Sequence, residues 1–159
     1  MSKNYVVTKA NALIEASYRL SVGEQKLILL LASMIQPDDK EFKTYQISVK
    51  SCMEWLGVTN KNKYKQIEKI TKELMTKVLV VHKEKSILQI SWISSAEYFK
   101  GQGIVELCFD PKLKPYLLQL KENFTTYRLK NIVQLKSYYS IRIYELLKQY
   151  GAKRFSISA

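Results

Sequence analysis

Residues 44–77 decide the fold and read TYQISVKSCMEWLGVTNKNKYKQIEKITKELMTK. The first six of these residues alternate and are β-prone, so they predict a short strand. A helix follows, which Ser48 or Ser51 can cap and which ends at Gly57. After a short turn, apolar residues recur at helical spacing from about Asn62 to Lys77 and predict another helix. The order strand, helix, turn, helix is that of a helix-turn-helix unit.

The residues after this unit predict a β-hairpin. Val78–His82 and Ile87–Phe99 are β-prone runs joined by a charged turn, and each predicts a strand. Gly101-Gln102-Gly103 then predicts a tight turn into a strand over Ile104–Phe109. A helix-turn-helix followed by a hairpin predicts an α+β fold, the winged helix, in which the hairpin is the wing.

The flanking segments predict further elements. Ser21 and Glu24 have the Ser-x-x-Glu spacing of a capping box, which starts a helix that runs to about Gln36. The other predicted elements are a strand or arm at Tyr5–Val7, a brief helix over Ala10–Tyr18, a helix from Asp110-Pro111 to about Leu120, a strand over Phe124–Leu129, and a last helix from Ser137 to Tyr150 that ends at Gly151.

The last residues of the chain indicate a second domain. Phe155–Ala159 repeats the form of Tyr45–Val49, which is aromatic, polar, Ile, Ser and small apolar. We therefore predict a winged-helix domain over 1–150, and over 151–159 the start of a linker or of a second, similar domain.

The net charge indicates a polyanionic partner. The chain has 26 Lys and Arg against 14 Asp and Glu, a net charge of +12, and a pI near 9.6. Four of the 26 cations are Arg, so 22 are Lys. Lys suits phosphate contact as a point charge better than bidentate reading of base edges, where Arg is favoured. The composition therefore favours contact with the DNA backbone.

The second helix of the helix-turn-helix carries the candidate DNA contacts, because that helix enters the major groove. Lys side chains there can neutralise phosphates, and Asn and Gln can pair with adenine edges. With Lys100 of the wing, the candidate DNA-binding residues are Asn60, Lys61, Asn62, Lys63, Lys65, Gln66, Lys69, Lys72 and Lys100. The alternative is a solvated helix in which Lys69 pairs with Glu73 and Lys65 with Glu68.

The sequence lacks the residues that several classes of function require. Cys52 and Cys108 with a single His82 cannot supply a four-ligand zinc site, and we interpret the two cysteines as free thiols. Tyr138 or Tyr139 could be the nucleophile of a DNA-nicking enzyme only beside a metal-binding pair of histidines, and the chain has a single histidine. The apolar run Leu27–Ile35 is too short to span a membrane. We therefore predict a cytoplasmic protein that is not an enzyme and needs no metal or cofactor.

Two motifs resemble those of a known family, the initiator proteins of theta-replicating plasmids. One comprises Asn11–Ala16 and Leu20–Leu27, where the family has a Leu-Ser/Thr-x-x-Glu-Gln-Lys/Arg-Leu helix start. The other is Ser140–Tyr150, which is similar to the family's Ser-x-Arg-x-Tyr-Glu-Leu-Leu helix. The resemblance extends from about Val6 to Tyr150.

The resemblance implies two tandem winged-helix domains, of which this chain would be the first. It implies a protein that binds repeated origin sequences in double-stranded DNA, starts plasmid replication and contacts host replication proteins. It also implies homodimers that repress the protein's own gene. The first domain would contact mainly DNA backbone and supply much of the dimer interface, for which the sequence offers the strand Ile87–Ile93 and the C-terminal helix. Because the chain stops at Ala159, we expect base reading by a second domain to be missing from it.

Two other functions remain open at this point. One is a winged-helix transcriptional regulator, which would be complete as one domain. The other is a protein-interaction module whose basic face binds an acidic partner.

Overall fold

A computed structural model describes residues 5–59 and 61–158, apart from the side chains of Lys63 and of residues 152–158. The strands are β1 Val6–Ala10, β2 Tyr45–Ser48, β3 Val78–His82, β4 Ile87–Ser91, β5 Ile93–Phe99, β6 Ile104–Phe109 and β7 Phe124–Arg128. The α-helices are α1 Asn11–Ile14, α2 Val22–Ser33, α3 Val49–Leu56, α4 Lys63–Leu74, α5 Lys114–Leu117 and α6 Tyr138–Ser158. Short 3-10 helices span Pro111–Leu113 and Leu129–Ile132.

A helix-turn-helix packs on a three-stranded antiparallel sheet at the centre of the domain. Helices α2, α3 and α4 contact one another, and the strands lie in the order β2–β6–β5. β5 and β6 form the predicted hairpin, which turns at Gly101–Gly103. The predicted α+β winged-helix fold is confirmed.

The predicted helix caps form, with small changes at the helix ends. The Glu24 amide donates to Ser21 Oγ at 3.1 Å, and the Ser21 amide donates to Glu24 Oε1 at 3.0 Å, so the capping box closes. Ser48, not Ser51, caps α3, because its hydroxyl accepts from the Ser51 amide at 3.0 Å. Helix α2 ends at Ser33, earlier than predicted. Pro37 accounts for part of this, since the residue before a proline disfavours helical backbone.

The run Ile87–Phe99, predicted as one strand, is two strands in different sheets. β4 pairs with β3, whereas β5 pairs with β6. The chain divides at Trp92, which is buried and packs edge-on against Tyr18 with 5.0 Å between ring centroids. The hairpin of β3 and β4 is therefore inserted between α4 and the wing. Alternation of apolar residues predicts a strand but not its partner.

Two of the predicted short helices are shorter still. Helix α1 stops at Ile14 because the next residues turn into an antiparallel bridge, in which the Val80 amide donates to the Ser17 carbonyl at 2.8 Å. The Asp110 cap is confirmed, since its Oδ1 accepts from the Lys112 amide at 2.9 Å. The helix after it ends at Leu117, not near Leu120, and contains Pro115, which has no amide hydrogen for a helical bond.

The ends of the domain meet in a second sheet, covered by α6. β1 pairs with β7 antiparallel, with Val7 opposite Tyr127. Helix α6 continues through Gly151 to Ser158, so the predicted helix end at Gly151 is wrong, and residues 155–158, which repeat the form of strand β2, are helical. A single glycine costs a helix only about 1 kcal/mol, and good helix formers follow it in the sequence. Ala159 lies outside the described residues, and the predicted domain limits stay predictions.

A buried ion pair joins β1 to α6. Lys9 Nζ lies 2.8 Å from Glu145 Oε2, and the two side chains are 1% and 0% exposed. The Tyr127 hydroxyl donates to the same carboxylate oxygen at 2.5 Å. These contacts connect the two ends of the domain, because the three residues belong to β1, α6 and β7.

The same cluster predicts a loss of stability at alkaline pH. Burial, and next the charge of Glu145, raise the pKa of Tyr127 and of Tyr18 well above the usual value near 10. Both phenols ionise more easily in the unfolded chain, so their contribution to stability is complete below about pH 10 and falls as the pH rises above it. We expect urea midpoints to fall as the pH rises from about 10 to about 11. Tyr127→Phe should flatten the decline by up to about 1.4 kcal/mol per pH unit, and equal slopes in the two proteins would contradict this.

Candidate nucleic-acid interface

Helix α4 is fixed in the domain by one face. Ile67 and Leu74 on that face are fully buried. The Thr71 hydroxyl lies 3.0 Å from the Ile67 carbonyl, to which it donates, and 2.5 Å from the hydroxyl of Tyr98 on β5. Packing and the Thr71–Tyr98 contact therefore fix the orientation of α4 relative to the wing strands.

The turn before α4 is set by α3. Gly57 ends α3 with a φ of 72°, a left-handed conformation that glycine adopts without strain. Trp55 anchors α3, because its indole nitrogen donates to the Lys26 carbonyl on α2 at 2.7 Å. The two helices of the unit are thus positioned by a capped turn and a buried tryptophan.

The opposite face of α4 carries exposed lysines. Lys65, Lys69 and Lys72 are exposed on the helix, as are Lys61 and Asn62 just before it. Gln66 is half-buried on the same helix. The lysines on this face are the cations that the sequence assigned to phosphate contact.

The alternative ion pairs along α4 do not form. Glu68 and Glu73 are exposed, but within the described part of the chain neither carboxylate lies within 4.0 Å of Lys65, Lys69 or Lys72. Lys77, beyond the end of α4, differs, because its Nζ lies 3.9 Å from Glu24 Oε1. Lys65, Lys69 and Lys72 therefore face solvent without a carboxylate from the described residues beside them.

The wing tip adjoins the first turn of α4. Gly101 and Gly103 have φ values of 81° and 65°, which explains why glycine occupies both turn positions. The Gly103 carbonyl accepts from the Val49 amide at 2.8 Å, and a Cβ on Gly103 would lie 3.4 Å from the Tyr64 hydroxyl. Lys100 is exposed beside this turn. The structure thus places the wing next to the N-terminal end of α4.

Most of the predicted site residues lie on these two neighbouring elements. Asn60 falls outside the described residues, and of Lys63 only the backbone, at the start of α4, is described. Tyr64 was not among the predicted contacts, because it is one of the apolar residues whose helical spacing predicts the buried face of α4. Tyr64 is 43% exposed at the junction of helix and wing. Its place one turn before the first buried residue, Ile67, is the signal that could have identified it.

The described residues offer neither a metal site nor a membrane span. They contain no group of three or more His, Cys, Asp or Glu side chains that could hold a metal ion. They also contain no helix with the length and apolar character that a membrane span requires.

The amino-acid sequence matches a known family over nearly the whole domain. The profile of the family described as "Initiator Replication protein, WH1" matches residues 6–148. The chain belongs to this family. The resemblance inferred from the two sequence motifs is confirmed, and the domain is a WH1 domain.

Two curated proteins of Escherichia coli are similar to this WH1 domain. A replication initiation protein is 31% identical over 156 residues, which cover 94% of this chain and 48% of the relative. A 27.6 kDa protein described as uncharacterized is 27% identical over 164 residues, which cover 94% of this chain and 69% of the relative. The chain spans about half of the length of the first relative.

A solved structure has the same fold. It is the crystal structure of the Pi initiator protein in complex with iteron DNA, with a TM-score of 0.71 and 18% sequence identity. The match covers 94% of this chain and 65% of that chain. At this identity the likeness shows the fold of the WH1 domain.

Proposed function

We propose that this chain is the DNA-binding first domain of a plasmid replication initiator, and that α4 and the wing grip the backbone of origin DNA. The observation that carries the proposal is the row of exposed lysines on α4, Lys65, Lys69 and Lys72, which lie beside the wing tip and have no carboxylate partner among the described residues. Family membership and the iteron DNA bound to the Pi initiator protein support it. The domain acts in the cytoplasm by binding, without catalysis or cofactor.

The predicted contacts divide into two kinds. Lys61, Lys65, Lys69 and Lys72 neutralise phosphates, and Lys100 does the same from the wing, because a lysine is a mobile point charge. Asn62 and Gln66 are the types that can reach adenine edges. Phosphate contacts outnumber base contacts in this set, so the domain positions the protein on DNA more than it selects a sequence.

The proposal extends to self-association and to host replication proteins. A homodimer that represses the protein's own gene would need a surface separate from α4. The domain offers two such surfaces, the strand β4 and the helix α6. Ile87 on β4 is 67% exposed, and several apolar side chains of α6 are exposed as well.

The salt dependence of binding tests the proposal. Neutralisation of about five phosphates predicts that log K falls with log salt with a slope near −4.5. A gel-shift titration of the domain on duplex DNA, at several salt concentrations, measures this slope. If the duplex is not retarded even at low salt, the proposal is wrong, and an acidic protein partner becomes the better account of the basic face.

A further inference from the structure

Two side-chain contacts connect helix α4 to the wing. The Tyr98 hydroxyl on β5 lies 2.5 Å from the Thr71 hydroxyl. The Tyr64 hydroxyl lies beside Gly103, so close that a Cβ on that glycine would lie 3.4 Å from it. Tyr64 and Thr71 are seven residues apart, which places them on the same side of α4 and about 10 Å apart along its axis. The two contacts therefore set both the position and the angle of the wing relative to α4.

The Tyr98 contact is a hydrogen bond in which the tyrosine is the donor. Thr71 is 2% exposed, and it donates its hydroxyl hydrogen to the Ile67 carbonyl at 3.0 Å. Tyr98 therefore donates to Thr71 Oγ1. Tyr98 is half-buried, and burial raises the pKa of its hydroxyl above the usual value, so that it remains a donor at neutral pH. Because Thr71 is buried, Tyr98 holds α4 from the face opposite its exposed lysines.

The two sides of the wing tip are held differently. The β6 side is bonded to α3, since the Gly103 carbonyl accepts from the Val49 amide at 2.8 Å. The β5 side lies at the edge of its sheet and carries Lys100. Lys100 follows Tyr98 by two residues, which is roughly 7 Å along a strand. The hydroxyl of Tyr98 is therefore the connection to α4 that lies next to the cation of the wing.

We propose that Tyr98 is a positioning residue for DNA binding, which through Thr71 holds Lys100 of the wing in a fixed place relative to the lysines of α4. Cations that are fixed in place before binding lose less conformational freedom when they meet phosphates, so their contacts contribute more to affinity. The hydroxyl of Tyr98 is bonded inside the domain and acts without touching DNA. The inference rests on the proposed function, in which α4 and the wing grip the DNA backbone together.

The salt dependence of binding by Tyr98→Phe tests the positioning role. The substitution removes the hydrogen bond but keeps the ring and every lysine. We expect binding to duplex DNA to weaken roughly fivefold at about 0.1 M salt, and the log–log slope to fall by about 0.5–0.9, up to the share of one phosphate contact. A smaller fraction of folded protein would lower the apparent affinity without changing the slope. Fluorescence anisotropy across a salt series measures both quantities, and an unchanged slope would overturn the proposal.

A double-mutant cycle identifies the cation that Tyr98 positions. Lys100→Ala should weaken binding about sevenfold in the unaltered chain but less than about twofold in the Tyr98→Phe chain, because the wing contact is then already weakened. Lys65→Ala should weaken binding about sevenfold in both chains, since α2 and α3 still hold α4. If Lys100→Ala has the same effect in both chains, Tyr98 does not position the wing and the proposal is wrong.

Variants of Thr71 and Tyr144 distinguish the hydrogen bond from a general loss of packing. Thr71→Val keeps the shape of the side chain and should reproduce the effect of Tyr98→Phe, whereas Thr71→Ser keeps the hydroxyl and should restore binding. Tyr144→Phe is the matched control, because Tyr144 is also half-buried and its hydroxyl accepts from Asn131 Nδ2 at 3.0 Å, on the side of the domain that α6 covers. It should change neither affinity nor slope. Equal changes of slope in Tyr144→Phe and Tyr98→Phe would contradict a specific role of Tyr98.

The mobility of the wing gives a readout that needs no DNA. In Tyr98→Phe, we expect lower heteronuclear NOE values for the amides of residues 99–103, with those of α4 unchanged, because the wing tip then moves on the picosecond to nanosecond timescale. A wing that is as rigid as in the unaltered chain would overturn the inference. If the unaltered chain does not bind duplex DNA, the proposed function fails as well. If it binds, and Tyr98→Phe changes neither slope nor NOE, the inference alone fails.

Discussion

Lys9→Met should lower the free energy of unfolding by about 3–5 kcal/mol, a large part of the 5–15 kcal/mol typical of a domain. The substitution keeps most of the side-chain volume but leaves the fully buried Glu145 carboxylate without its cation. Among the described residues, Tyr127 then remains as the hydrogen-bond donor to Glu145 Oε2. Urea unfolding followed by circular dichroism at pH 7 measures the loss.

Two control variants distinguish the effect of an unpaired buried charge on stability from the effect of losing any lysine. The double variant Lys9→Met with Glu145→Met should recover most of the stability, because an apolar pair can replace a buried ion pair of similar volume. Lys43→Met removes an exposed lysine whose Nζ lies 2.9 Å from Asp39 Oδ1, and it should leave stability almost unchanged. A loss for Lys9→Met no larger than that for Lys43→Met would contradict the structural role of the pair.

Lys65→Ala combined with Lys69→Ala should weaken binding to every duplex by roughly 50-fold at 0.1 M salt. Each phosphate contact contributes about 0.9 log units of affinity per tenfold change in salt, so two lost contacts also reduce the log–log slope by about 2. Because phosphates carry no sequence information, the loss should be equal for origin and random duplexes. Fluorescence anisotropy on both duplexes across a salt series gives affinity and slope together.

A double variant of equal charge is the control for this loss. Lys83→Ala with Lys85→Ala removes two exposed lysines from the turn between β3 and β4, away from α4 and the wing. The net charge of the chain falls equally in both double variants. Equal losses of affinity would mean that overall charge, and not a particular face, drives binding. A loss restricted to one sequence would indicate that Lys65 or Lys69 reads bases.

Local signals in the sequence predicted the winged-helix core well. Ser21 and Glu24, Ser48, Gly57 and Asp110 each act within three or four residues of themselves, so their roles as caps can be predicted without knowledge of the fold. The same holds for the glycine turn of the wing, where both glycines have positive φ. The lysines of α4 also followed from helical periodicity, since the face opposite a buried stripe is solvated.

Features that depend on distant partners could not be predicted in this way. Trp92 divides one β-prone run into two strands that belong to different sheets. This division becomes visible only in the structure, where β4 pairs with β3. Tyr64 has the spacing of a buried residue but lies beyond the core, against the wing. Asn60 and the side chain of Lys63 lie outside the described residues, so their place in the site remains a prediction.

Helix α6 is the clearest case of a role decided by tertiary contacts. The motif around Ser140–Tyr150 identified the family, but its polar residues gave no indication that they face inward. The burial of Glu145 is explained by its ion pair with Lys9, which is 136 positions away in the sequence but has its Nζ 2.8 Å from Glu145 Oε2. Composition alone would have assigned the apolar residues of this helix to the core and the charged ones to solvent.

The central claim is that α4 and the wing form the DNA-contacting face, and amide NMR shifts on addition of a duplex test it most directly. We expect the largest shift changes in the amides of Lys63–Leu74 and of Phe99–Ile104, with little change along the exposed side of α6. Changes concentrated on β3, β4 or α6, with α4 and the wing unaffected, would contradict the claim.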